Sequence, residues 1–153
     1  MKEKAYLRAV IVASLVASAM CLLPLMSARA ISAESATLLV RGYNLIEFSP
    51  WGIFPIVAPL LIPLILISHL SERIQRVLLA TLLASNALCY VSSFLAARTW
   101  LEAINVEHIA YHFGTALYPL AFVTTLALAA LPSRIVQKIT QTKIRKLHPW
   151  ITG

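Results

Sequence analysis

The chain has 153 residues, of which 59% are apolar and only 12% charged, whereas ordinary soluble domains have about 45–50% apolar and about 25% charged residues. With a mean hydropathy of +0.80, this excludes a conventional soluble domain and predicts an all-α integral membrane protein, one small bundle over 1–153 with no separate soluble domain. A net charge of +7 would suggest nucleic acid in a soluble protein, but the basic residues sit beside apolar runs and in the tail, so nucleic acid is excluded as a partner and the lipid bilayer is the expected surroundings.

Four apolar segments are long enough to cross about 30 Å of hydrocarbon: residues 5–28, 51–70, 74–97 and 106–131. The first begins with Lys2, Lys4 and Arg8 and ends near Ala28-Arg29-Ala30, a small-x-small pattern like that of a signal-peptide cleavage site. Its apolar core exceeds the usual 7–15 residues of a signal peptide, so a retained helix is expected, with a cleaved leader as the alternative.

Residues 29–50 form the longest loop, and its second half closes with the stretch RGYNLIEFSPWGIFP. Leu39, Tyr43 and Ile46 fall on one helical face, which predicts a short interfacial helix over 37–48 at the outer membrane surface. Tyr43, Phe48, Trp51 and Phe54 supply an aromatic belt there, and Ser49-Pro50 with Gly52 makes the turn into the membrane.

The second segment spaces Pro55, Pro59 and Pro63 four apart. Each ring lacks an N–H, so the carbonyls of Trp51, Pro55 and Pro59 lose their helical partners and that face must turn toward protein. A short link around Ser71, the expected N-cap, makes a tight hairpin with the third segment. There Asn86 lies near the bilayer centre and needs a partner on another helix. Ala84 in the third segment and Ala13 and Ala17 in the first belong to small-residue stripes, so these two helices are expected to touch. The fourth segment carries Tyr118-Pro119, which kinks it and frees the Thr115 carbonyl. Residues 132–153 form a basic tail expected to lie on the anionic inner leaflet.

Lys2, Lys4, Arg8, Arg73, Arg76, Arg134, Lys138, Lys143, Arg145 and Lys146 fall on one side, against Arg29, Arg41 and Arg98 on the other. This asymmetry predicts four transmembrane helices with both termini in the cytoplasm (N-in, C-in), and the small size suggests a bacterial inner-membrane, multi-pass protein.

The sharpest chemical motif is EHIAYH, in which His108 and His112 would share a helix face as a low-order zinc or copper pair. A polar helix start, with Asn105 as N-cap, explains it as well, and no metal or cofactor is expected. Histidines at matched depth for haem, surface cysteine pairs, a mid-membrane carboxylate and Gly-rich phosphate loops are all missing from the sequence. The expected function is non-enzymatic: binding or stabilising another membrane protein, or self-association, through helix faces marked by Asn86, Ala13, Ala17, Ala84, Pro59 and Pro63. A small transporter or channel subunit is the alternative.

Overall fold

The first apolar segment stays helical only until its proline. In the computed structural model, which describes residues 2–30, 37–68, 70–104 and 106–130, α1 spans Lys2–Ala19 and tightens into a 3₁₀ turn at Met20–Leu22. Leu23 is extended, as the residue before a proline tends to be. Pro24–Ala30 then forms strand β1, not the end of the helix expected over 5–28.

Two more strands complete a small sheet. β2 covers Thr37–Arg41 and β3 covers Val106–Tyr111, and both pair antiparallel with β1 in the order β2-β1-β3. The helix expected over 37–48 is therefore replaced by β2, a 3₁₀ turn at Gly42–Asn44 and a single helical turn, α2, at Leu45–Phe48. The start of the segment expected over 106–131 is likewise strand, and its helix α5 spans only Gly114–Ala130. In both places edge pairing with β1 satisfies backbone groups that a helix would have satisfied locally.

A second 3₁₀ turn, Pro50–Ile53, leads into α3, Phe54–Ile67, and α4 follows as Glu72–Ala103. The Ser49 hydroxyl accepts from the Trp51 amide at the start of that turn. Ser71 is the N-cap of α4, though its side chain makes no capping bond. The chain is mostly helical with a small sheet. Ala5–Leu22, Pro50–Ile67 and Glu72–Ala103 are each long and apolar enough to cross a membrane, and Gly114–Ala130 is a shorter apolar helix. The basic tail expected at 132–153 lies outside the described residues.

The helices pack around α3. It contacts α1, α4 and α5, while α1 lies mainly against α3 and α5. α4 buries one stripe, Leu79, Leu82, Asn86, Tyr90, Ser93, Ala97 and Leu101, at spacings of three or four residues. At 32 residues α4 is the longest helix, about 48 Å, so its last turns rise beside the sheet. There Trp100 meets Phe48 of α2 with ring centroids 5.3 Å apart.

Glycines fasten the sheet end to the helices. A Cβ on Gly52 would lie 2.2 Å from the Leu45 carbonyl carbon, and one on Gly114 would lie 2.3 Å from the Pro24 carbonyl oxygen. Backbone cannot move aside as a side chain can, so Gly52→Ala and Gly114→Ala are each expected to cost about 1–3 kcal/mol, read as a lower midpoint of thermal unfolding in detergent. Unchanged midpoints would show the contacts to be loose. Because β1 is the central strand, loss of residues 1–30 would remove both α1 and the strand that joins β2 to β3. Intact-protein mass spectrometry is therefore expected to find the full 16.8 kDa chain, and a species starting at residue 31 would contradict this.

Candidate functional site

The interior is organised by prolines and the hydroxyls that answer them. Pro59 has no N–H, so the Pro55 carbonyl has no α-helical donor. The Tyr118 hydroxyl of α5 lies 2.8 Å from that carbonyl and 2.8 Å from Asn86 Oδ1. A phenol has one proton, so it cannot donate fully to both. Turning the Asn86 amide end over lets Asn86 donate to Tyr118 while Tyr118 donates to Pro55, and the chain is then complete. α3, α4 and α5 meet at this one hydroxyl.

The same solution recurs at Pro119 of α5. Pro119 frees the Thr115 carbonyl, and the Tyr90 hydroxyl of α4 donates to it at 3.1 Å. The Trp51 carbonyl, freed by Pro55, accepts instead from the Phe54 amide. The Tyr90 and Tyr118 rings also pack at a tilt, with centroids 5.0 Å apart, and Phe122, Phe94 and Tyr111 extend this into an aromatic ladder up to the sheet.

α1 is tied in by its own hydroxyls. Ser18 donates to the Ile56 carbonyl at 2.9 Å. Tyr6 reaches the carbonyls of Leu128 and Ala129 of α5 at 3.1 and 3.0 Å. Thr125 bonds chiefly to Ala121 and sits 3.3 Å from the Ala13 carbonyl.

Of the packing residues expected from sequence, Asn86, Ala17 and Pro59 are buried, and Ala13 and Pro63 are half-buried. Ala84 is exposed. The small residues of α1 face α3 and α5, and α1 has at most marginal contact with α4, so the stripe containing Ala84 is left outside. Ser14 and Ser93 are buried with hydroxyls that have no partner among the described residues. Tyr118, Tyr90 and Thr115 were not singled out as sites from the sequence. The signal was present, since a phenol inside an apolar run must find a partner for its hydroxyl.

At the sheet, His108 and His112 do not share a helix face. His108 lies on β3 and His112 just beyond it, and four extended residues separate them by about 13 Å, too far for one ion. Among the described residues no group of three His, Cys, Asp or Glu side chains is placed to hold a metal. His112 Nε2 instead lies 2.8 Å from Ser27 Oγ on β1, and its amide donates to the Leu25 carbonyl. Thr115 Oγ1 also donates to Leu25, at 2.7 Å, so α5 is anchored to the sheet where it begins. Cys21 and Cys89 are free thiols, the first buried and the second half-buried. The His112 and Thr115 contacts join the sheet to the start of α5.

Tyr118→Phe leaves the Pro55 carbonyl without a donor in apolar surroundings, and a loss of about 1–3 kcal/mol is expected in detergent unfolding. Ser93→Ala removes a hydroxyl that has no partner, and the expected change is neutral or stabilising by up to about 1 kcal/mol. Equal effects from the two substitutions would show that the hydroxyl network does not carry the packing. No protein-family model, curated protein or solved structure matches the chain.

Proposed function

We propose that this chain is a multi-pass protein of the bacterial inner membrane, crossing it four times with both termini in the cytoplasm, and that it acts without catalysis by binding or stabilising another membrane protein. α5 has 17 residues, about 26 Å, which is close to the hydrocarbon thickness and supports its counting as the fourth span. The excess of Lys and Arg on one side supports the orientation. On this reading the sheet stands on the outer side.

The observation that carries the function is the division of α4. Its polar groups Asn86 and Tyr90 turn inward and are used within the chain, while Ala80, Ala84, Ala87 and Val91 form an exposed stripe. Small residues at this spacing gain little against lipid but let another helix approach closely. The transporter or channel alternative rested on the proline-freed carbonyls and Asn86. The carbonyls of Pro55 and Thr115 are taken by tyrosine hydroxyls and Asn86 is bound to one of them, so that alternative ranks second.

Purification in a gentle detergent is expected to recover a stoichiometric second membrane protein, and Ala84→Trp is expected to lose it while the chain still folds. Recovery of none with the wild-type chain, or equal recovery with Ala84→Trp, would reject the proposed face. Proteoliposome flux above that of empty vesicles would favour the transporter alternative.

A further inference from the structure

The exposed side chains change character along the bundle. On the helices away from the sheet the large exposed apolar residues are aliphatic, as with Val12 on α1, Leu64 on α3, Leu88 on α4 and Leu120 on α5. All the exposed aromatic side chains among the described residues, Tyr43, Trp51, Trp100, Tyr111 and Phe113, belong to the sheet end. Exposed charges stand among them: Arg41 beside Tyr43, Glu47 on α2, and Arg98 with Glu102 flanking Trp100. A surface changes from aliphatic to aromatic mixed with charge where hydrocarbon gives way to headgroups.

These side chains close a circuit around the sheet end. The end of α4, with Trp100, touches α2, with Ile46, and the Pro50–Ile53 turn, with Trp51. That turn touches the Gly42–Asn44 turn, with Tyr43, which touches the Met20–Leu22 turn, with Leu22. The last packs on α5, whose chain runs back through Phe113 to β3, and Tyr111 of β3 meets α4 again. Every station carries a large exposed apolar side chain, and Phe113 is 86% exposed.

A partner protein seated on one side would cover one sector of this circuit and leave the others in water. Only a surrounding fluid reaches every sector, and the lipid interface is the fluid that favours aromatic rings beside charges. The ring is also level with the sheet. Tyr111 packs on Phe94 and Trp100 on Phe48, contacts about 9 Å apart along α4, and Tyr111 pairs with Met26 of β1.

Resting on the membrane reading above, we propose that the sheet is seated within one headgroup layer, with lipid against the aromatic ring on all sides, and does not stand clear of the bilayer in water. β2 and β3 are the outer strands. Headgroups and their water supply the hydrogen bonds that outer strands need and hydrocarbon withholds.

The test reads tryptophan fluorescence from the full chain in phosphatidylcholine vesicles that contain lipids brominated near the carbonyl end or near the methyl end of the acyl chain. The chain has three tryptophans, and Trp150→Phe leaves the two in the ring. Adding Trp51→Phe or Trp100→Phe leaves one reporter, and Phe113→Trp with all three replaced reports from another sector. Each reporter is expected to be quenched about twofold more by the carbonyl-end lipids than by the methyl-end lipids, and to be shielded from iodide present on both sides of the vesicle. If a single-tryptophan protein fails to fold, Trp150→Phe alone gives the reading from Trp51 and Trp100 together. Iodide quenching without lipid quenching would overturn the proposal by leaving the sheet in water. Stronger quenching by methyl-end lipids would overturn it by placing the ring in hydrocarbon. So would lipid quenching confined to one sector, the outcome expected where a second copy or a partner covers the rest. Flotation separates the proposal from the reading it rests on: a chain that does not float with the vesicles rejects the membrane reading, whereas a floating chain open to iodide rejects only the seat of the sheet.

Discussion

Everything inside the bundle depends on the need to satisfy backbone carbonyls that prolines have deprived of their donors. Away from water an unpaired carbonyl is costly, and a kinked helix places it where only a side chain can reach. Tyr118 and Tyr90 supply those donors across helix boundaries. The positions of α3, α4 and α5 are coupled through them, because α5 is bonded to α3 through Tyr118 and to α4 through Asn86 and Tyr90. Asn86 completes the junction and would itself be a burden without Tyr118. The aromatic rings bearing the hydroxyls then fill the space between α4 and α5, so one pair of residues provides both polar satisfaction and packing.

The sheet end obeys a different constraint, close approach of backbones. Gly52 and Gly114 sit where a side chain would strike a neighbouring main chain. Strand β1 passes through the middle, pairing with both loops and holding the start of α5 through Leu25. α4 is long enough to support this layer from one side. The outcome is a small platform continuous with the helices, although no segment in it is long.

This division of labour bears on function. Asn86 and the carbonyls of Pro55 and Thr115 are engaged within the chain. The buried Ser14 and Ser93 hydroxyls have no partner among the described residues, and the Ala80–Ala84–Ala87 stripe is exposed on the outside. The small-residue stripe suits association by close helix packing. The two histidines, read along the sequence as neighbours on a helix, show why local spacing misleads. The same four-residue interval brings side chains together on a helix and holds them apart on a strand.

The sequence by itself determined that the chain is built for apolar surroundings and where its main apolar helices run, because twenty-residue hydrophobic stretches and helix-breaking prolines act locally. It also identified the carbonyls that would need help, and Asn86 as a residue requiring a partner, since those follow from covalent chemistry. Only the tertiary structure decided who supplied that help, because Tyr118 lies far along the chain from Pro55 and any buried hydroxyl would have served. It also decided that residues 24–30, 37–41 and 106–111 are strands: each is short and weakly patterned, and extended backbone becomes favourable only when all three pair. The same holds for Ala84, whose stripe looked suited to packing against α1. Small residues permit close approach without specifying a partner, and the bonds from Ser18, Thr125 and Tyr6 place α1 against α3 and α5 instead.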